Sequence, residues 1–151
     1  LTRSSAASDV YKRQKITSHS KNEIPAQSIE SSEDILLMSS DFDVIGIDEG
    51  QFFDSHLVNV CNSLANQGKR VIVSGLDMDY SGIPFGPIPN LMACAEKVTK
   101  LHAICSETGN MANFSFRKSK ENQQVLIGER NEYEALSREA FVKKMKKRKN
   151  Y

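Results

Sequence analysis

Two short apolar runs, Phe42-Asp43-Val44-Ile45-Gly46-Ile47-Asp48 and Arg70-Val71-Ile72-Val73-Ser74-Gly75-Leu76-Asp77, frame a segment with helical spacing. Both are rich in β-branched residues and apolar on consecutive positions, which predicts parallel strands covered on both faces. Between them Leu57, Val60, Cys61 and Leu64 recur at the spacing of one helix face, and Gly68 follows as a C-terminal cap. Strand, helix and strand within about 35 residues read as a βαβ unit. That restricts the chain to α/β architectures, in which ligands sit outside the carboxyl ends of the strands. Both runs end in acids, Asp48-Glu49 and Asp77.

The 151 residues allow one compact domain with a small appendage. Residues 1–14, LTRSSAASDVYKRQ, show neither helical nor strand periodicity and are expected to be a disordered or foreign tail. With Leu1 in place of Met, the chain is expected to be a fragment. Residues 15–31 read as a polar loop punctuated by Pro25. Ser32 is placed to cap a helix that buries Ile35, Leu36 and Leu37. Residues 15–100 thus form a partial α/β domain. The Gly- and Pro-rich stretch after Tyr80 predicts a long ordered loop, and a helix over roughly 89–98 would bury Leu91, Met92 and Ala95. Three strand-like runs follow at 99–105, 112–118 and 123–128, with Gly109-Asn110 and the polar 119–123 as turns. Residues 101–142 are therefore expected to be a small β-rich subdomain. Its core would contain Leu101, Ile104, Phe114, Leu126 and Phe141. Ser137 would cap a last helix that frays into a basic tail, 143–151.

Charge narrows the function classes. A formal charge of +1 does not point to a general nucleic-acid or membrane-surface binder. No apolar run approaches the ~20 residues of a membrane span. The first 22 residues are polar and hold no secretory pattern. Three widely spaced cysteines, Cys61, Cys94 and Cys105, suit reduced thiols in a cytoplasm. Arg117 and Lys118, taken alone, read as a solvated face, and so does the run KKMKKRKN.

A carboxylate closing a buried strand suits Mg²⁺, which neutralises phosphate charge, and an adjacent acid can take a proton from an attacking hydroxyl. Successive side chains on a strand point oppositely, so one centre is served only if the chain turns at Glu49, which Gly50 makes easy. The plainer alternative is that Asp48 and Glu49 end a strand and cap the next helix. The longer motif IDEGQFF, 47–53, resembles the characteristic segment of thymidine kinases of the bacterial and animal cytosolic type. The likeness continues through GKRVIVSGLDMDYSGIPFGPIPNL, AEKVTKLHAIC and YEALSREAF, and reaches back to IPAQSIESSEDIL.

The resemblance implies a RecA-like P-loop kinase sheet, incomplete at its N-terminus, with a small zinc-ribbon-like subdomain. It implies transfer of a phosphoryl group from ATP, with Mg²⁺, to the 5′-hydroxyl of thymidine, in a cytoplasmic homotetramer that binds neither nucleic acid nor membrane. Glu49 takes the place of the general base, and Asp48 that of the acid assisting Mg²⁺. Gln51 falls in the nucleotide site. Phe52 would lie against thymine, with Leu76 and Tyr80 as pocket walls and Ser115 and Tyr133 near the nucleoside.

Two departures are evident. A phosphate-binding loop, G-x-x-x-x-G-K-[ST], is absent from the 151 residues, so the chain by itself is expected to be inactive. Relatives hold a structural zinc with two C-x-x-C pairs; the matching positions here are Cys105, Thr108, Ser137 and Ala140, so no zinc is expected. The runner-up reading is a non-catalytic protein or subunit of the same fold. A nucleic-acid-binding zinc-ribbon module is a further alternative, opposed by the loss of three ligand positions and the near-neutral charge, and so is a RecA-like motor, which would not account for GLDMDYSGIPFGPIPN.

Overall fold

The computed structural model describes residues 2–3, 14–17, 23–119 and 132–149, with side chains over 26–119 and 132–148. In chain order the elements are β1 (Thr2–Arg3), β2 (Gln14–Thr17), β3 (Glu23–Ala26), β4 (Ser28–Ile29), α1 (Asp34–Met38), β5 (Val44–Ile47), a 3₁₀ turn (Gly50–Phe52), α2 (Leu57–Asn66), β6 (Arg70–Val73), α3 (Ile88–Cys94), β7 (Ala103–Ile104), β8 (Met111–Ala112), β9 (Phe114–Arg117), β10 (Tyr133–Leu136) and α4 (Arg138–Lys149). The chain divides into two compact units, one drawn from 1–77 and 85–96 and the other from 78–84 and 97–151. The expected boundary near residue 100 thus falls at 96/97, and the loop segment Met78–Pro84 belongs with the second unit.

The first unit is built on the βαβ element. β5 and β6 pair in parallel, Val44 opposite Arg70 and Ile47 opposite Val73. The ladder continues past both strands, Ser74 N–H donating to Ile47 O at 2.9 Å and Gly50 N–H to Ser74 O at 2.9 Å. The crossover helix α2 buries the four residues its periodicity picks out, Leu57, Val60, Cys61 and Leu64. They share one core with Ile45, Ile47, Ile35 of α1, and Ile88 and Leu91 of α3. Each such side chain contributes about 1.5–3 kcal/mol relative to exposure. At the end of α2 Gly68 takes φ +82°, and the next residue, Lys69, extends its ammonium to the carbonyls of Ser39, Ser40 and Phe42 at 2.9, 3.1 and 2.7 Å. The turn after α1 is thereby tied to the start of β6.

Several local expectations change. The helices α1, α2 and α3 all supply the core that covers Ile45 and Ile47, while Val44 is 55% and Ile72 49% exposed. β5 and β6 therefore alternate, covered on one face by the described residues, where two covered faces were expected. The second strand ends at Val73, so Asp77 lies in the following loop. Ser32 is buried but does not cap α1, whose N-cap is Glu33, and of the three residues expected to be buried only Ile35 is, with Leu36 37% and Leu37 81% exposed. α3 stops at Cys94, leaving Ala95 exposed. The expected loop at 15–31 contains an antiparallel hairpin, with Gln14 opposite Ala26 and Ile16 opposite Ile24. Pro25 is compatible with it because a two-stranded sheet has only edge strands. Thr2–Arg3 pairs with Ser28–Ile29, and residues 4–13 of the expected tail lie outside the described residues.

The second unit pairs β9 with β10 and β7 with β8, both antiparallel. Gly109, at φ +70°, makes the turn between β7 and β8, as the Gly-Asn signal predicts. Phe114 and Phe141 stack at 4.4 Å within a core that also holds Leu136, Ala140 and Cys105. Leu101 and Ile104, expected in that core, are 90% and 73% exposed. Leu126 and the run 123–128 lie outside the described residues. Ser137 caps α4 as expected, its Oγ accepting from Ala140 N–H at 3.5 Å. α4 runs on to Lys149, so most of the basic segment is helical, where a fraying tail was expected. Among the described residues no helix is long and apolar enough to cross a membrane.

Candidate active site

At the carboxyl end of β5 the backbone reverses through Glu49 itself, at φ 54° and ψ 39°, the one non-glycine residue with positive φ among those described. A non-glycine residue in this region costs about 1–2 kcal/mol, and such strain collects at functional sites. The sequence suggested that Gly50 would make this turn easy. Gly50 is required for another reason: a Cβ there would lie 2.8 Å from Val73 Cγ1 and 2.9 Å from Ile88 Cδ1. The left-handed residue is the acid, and the glycine lets the following 3₁₀ turn press against β6.

Both acids are held. Asp48 Oδ1 accepts from Glu49 N–H at 3.0 Å and from the Ser74 hydroxyl, so the end of β6 fixes the acid at the end of β5. Glu49 Oε2 accepts from Gln51 Nε2 at 2.5 Å, and Gln51 Oε1 accepts from Leu76 N–H at 2.9 Å. Gln51 is 2% exposed, whereas Glu49 is exposed. Four of the expected site residues, Asp48, Glu49, Gln51 and Leu76, are thus joined in one hydrogen-bonded group. Phe52 is half-buried and meets Phe85 edge to face, with centroids 5.6 Å apart at 88°. In the segment that follows, Asp54 is pushed up by desolvation but held below the ordinary carboxylate range overall, chiefly by the Ser32 N–H at 3.3 Å and the Ser32 side chain, then by the His56 N–H at 2.9 Å.

Tyr80, Ser115 and Tyr133 lie in the second unit. Its centre is a residue that sequence reasoning placed on a solvated face: Arg117 is 1% exposed. Its guanidinium lies 3.9 Å from the centroid of the Tyr80 ring. Arg117 also donates from Nε and Nη2 to the Tyr133 hydroxyl at 3.2 and 2.8 Å. Stacking and charge-assisted hydrogen bonds of this kind make burial of a guanidinium tolerable. Ser115 sits opposite Ala135 in the β9–β10 register. The loop leading from Tyr80 is shaped by Asp79, whose Oδ1 accepts from Ser81 and Ile83 N–H at 2.8 and 3.1 Å. Pattern reading missed Arg117, Ser74 and Asp79. No local signal marks Arg117, since the groups that hold it, Tyr80 and Tyr133, lie far from it in the chain.

Cys105, Thr108, Ser137 and Ala140, the positions the resemblance matched to a zinc site, come together as a hydrogen-bonded cluster. Thr108 Oγ1 donates to Ser137 Oγ at 3.4 Å, and that oxygen also accepts from the backbone of Ala140. Burial pushes the Cys105 thiol up, but hydrogen bonds from Thr108, Ser137 and Glu107 bring it down to about 6. Nearby, Glu134 accepts from Lys144 at 2.5 Å and from Ser106 Oγ at 2.6 Å, and these bonds lower its pKa below the usual carboxylate range. A depressed carboxylate stabilises the fold above its unfolded pKa, and the effect is lost as pH falls through its folded value. Glu134→Gln should therefore lower stability at pH 7 by about 1 kcal/mol or less and flatten the acid limb below pH ~4.5. Urea unfolding at several pH values reads this, and an unchanged acid limb would refute it.

An α/β chain whose paired carboxylates close a parallel strand, together with a small antiparallel subdomain, defines the general class. The thymidine kinase family profile matches residues 2–141. The thymidine kinase of Bacteroides fragilis is 54% identical over 131 residues, covering 87% of this chain and 66% of that protein. That of Bacteroides thetaiotaomicron is 51% identical over 133 residues, covering 88% and 67%. That of Rhodothermus sp. is 49% identical over 131 residues, covering 87% and 62%. The chain belongs to the thymidine kinase family. It spans about two thirds of the length of these curated relatives.

Proposed function

We propose that the protein containing this chain transfers the γ-phosphoryl group of ATP to the 5′-hydroxyl of thymidine. The observation that carries the reading is the strand-end pair: Asp48 fixed by Ser74, and Glu49 exposed on a left-handed turn with its carboxylate held by Gln51. Glu49 takes the proton of the attacking hydroxyl. Asp48 supplies the oxygen donor that suits Mg²⁺, directly or through water, and the ion would neutralise charge on the ATP phosphates. Phe52 offers a ring face to the base, and Leu76 lines the same side. Tyr80, Ser115 and Tyr133 contribute the remaining nucleoside contacts, with Tyr133 oriented by Arg117. Phosphoryl transfer also needs a phosphate-binding loop, which the 151 residues do not contain. The sheet to which β5 and β6 belong is of the RecA-like kinase type, and the working assembly is a cytoplasmic homotetramer. In the test, the product of the complete reading frame is incubated with labelled ATP and thymidine. Labelled thymidine 5′-phosphate is expected, and its absence in a folded product would favour the non-catalytic alternative.

The second unit works without zinc. Tetrahedral zinc takes four thiolate or imidazole ligands, and the family positions offer one, Cys105, with Thr108 and Ser137 hydroxyls bonded to each other. Purified protein should carry well under one zinc ion per chain by atomic absorption, and chelator should leave the unfolding midpoint unmoved. Stoichiometric zinc would overturn this reading.

A further inference from the structure

We infer that Gln51 is a positioning residue for the Glu49 carboxylate, an assignment that rests on the proposed kinase reading. The Gln51 side chain is tightly enclosed. Gln51 is 2% exposed; a Cβ at residue 75 would lie 2.7 Å from its side-chain Oε1, and one at residue 86 would lie 2.1 Å from its backbone O, so one glycine makes room for the amide and the other for the main chain that carries it. Its amide orientation follows from chemistry. Leu76 N–H is a donor at 2.9 Å, which requires the amide oxygen to face it. The amide nitrogen therefore faces Glu49 and donates to Oε2 at 2.5 Å. A buried amide, anchored to the backbone beyond β6, thus holds one oxygen of an exposed carboxylate whose own backbone is on a sharp turn. Without that bond Glu49 is a long side chain at the surface with several rotamers open to it. A general base acts only when held within hydrogen-bond reach of the proton it takes. Both ends of the Gln51 amide are engaged by the protein, which favours positioning over direct nucleotide contact.

Two substitutions in the full-length protein separate the bonds. Gln51→Glu keeps the size and the acceptor for Leu76 N–H but removes the donor to Glu49; Gln51→Met removes both. Each should lower kcat for thymidine phosphorylation by about 10–100-fold, the scale of a misplaced catalytic group, with KM for thymidine and ATP within about threefold. In a Glu49→Gln background either change should alter residual turnover by less than about twofold, since coupled residues are non-additive. Recovery of wild-type kcat in Gln51→Glu would reduce Gln51 to a support for the Leu76 loop and overturn the inference. A rise in KM for ATP of equal size in both backgrounds would make it a ligand contact and would overturn the inference equally. If Gln51→Met does not fold, the near-isosteric Gln51→Glu variant decides alone. Unchanged kcat in Glu49→Gln by itself would remove Glu49 as the base and overturn the inference, whereas a folded full-length protein that makes no thymidine 5′-phosphate would remove the kinase reading on which it stands.

Discussion

Glu49→Gln, made in the full-length protein, is expected to lower kcat for thymidine phosphorylation by about 10²–10⁴-fold, the usual contribution of a general base. The replacement is nearly isosteric. Its amide oxygen still accepts from Gln51 Nε2, so the turn and the packing of Gln51 under Leu76 should persist. What is lost is the capacity to take the 5′-hydroxyl proton as that oxygen attacks phosphorus. Positioning and charge stabilisation, which supply most of the acceleration in phosphoryl transfer, are left in place, so measurable residual turnover should survive. Thymidine affinity should stay within about threefold, because an interaction made only in the transition state leaves ground-state binding unchanged. Steady-state kinetics together with thymidine titration separate the two quantities. Equal turnover in the variant and the parent would show that the hydroxyl needs no help from residue 49.

How much of this could be read from the sequence varies with the range of the interactions. The βαβ unit was legible because its cues are local: β-branched runs, a 3.6-residue period through Leu57 and Leu64, and Gly68 at the end. The paired acids were legible for the same reason, since a buried strand that stops at two carboxylates is a visible break in pattern. Elements with few large apolar residues were not. β2 and β3 contribute only Ile16 and Ile24 directly opposite one another, and such a hairpin leaves no periodicity to find. Covered faces misled in another way. Val44 and Ile72 have the composition of a two-sided parallel sheet, but helices α1 to α3 gather on the side of Ile45 and Ile47. Leu101 and Ile104 failed because hydrophobicity alone does not say which short strand is packed on.

Arg117 shows the limit most plainly. Its burial depends on Tyr80 and Tyr133, which precede and follow it at a distance in the chain, and no window around Phe116-Arg117-Lys118 contains them. The turn at Glu49 was half legible. The alternation of side chains along a strand required a reversal there, and the neighbouring glycine offered itself as the cause. The strain falls on the acid because Gly50 is already committed to close contact with Val73 and Ile88. In this site the acid proposed as the base and the residue that relieves the packing differ, and the close approach to β6 decides which residue takes the strain.

Gly86 is where that packing is least forgiving. It holds φ +53°, and a Cβ at this position would lie 2.1 Å from Gln51 O and 2.9 Å from Gln51 C, both backbone atoms that no rotamer change can move. Gly86→Ala therefore combines the left-handed penalty of about 1–2 kcal/mol with an overpacking cost of about 1–3 kcal/mol. The sum, roughly 2–5 kcal/mol, is a large part of the 5–15 kcal/mol that holds a typical domain together. Denaturant unfolding should show the loss directly, with the midpoint lowered and the slope little changed. A second consequence separates this site from an ordinary tight glycine. The backbone that must yield carries Gln51, and Gln51 carries Glu49, so any Gly86→Ala protein that remains folded should lose turnover beyond what its folded fraction explains. At a temperature where the variant is fully folded, kcat should still be down about 10-fold or more, in line with a catalytic group displaced by a fraction of an ångström. Normal stability in Gly86→Ala would mean that the loop after Pro84 yields without cost. Normal kcat in a folded variant would break the link from residue 86 through Gln51 to the base.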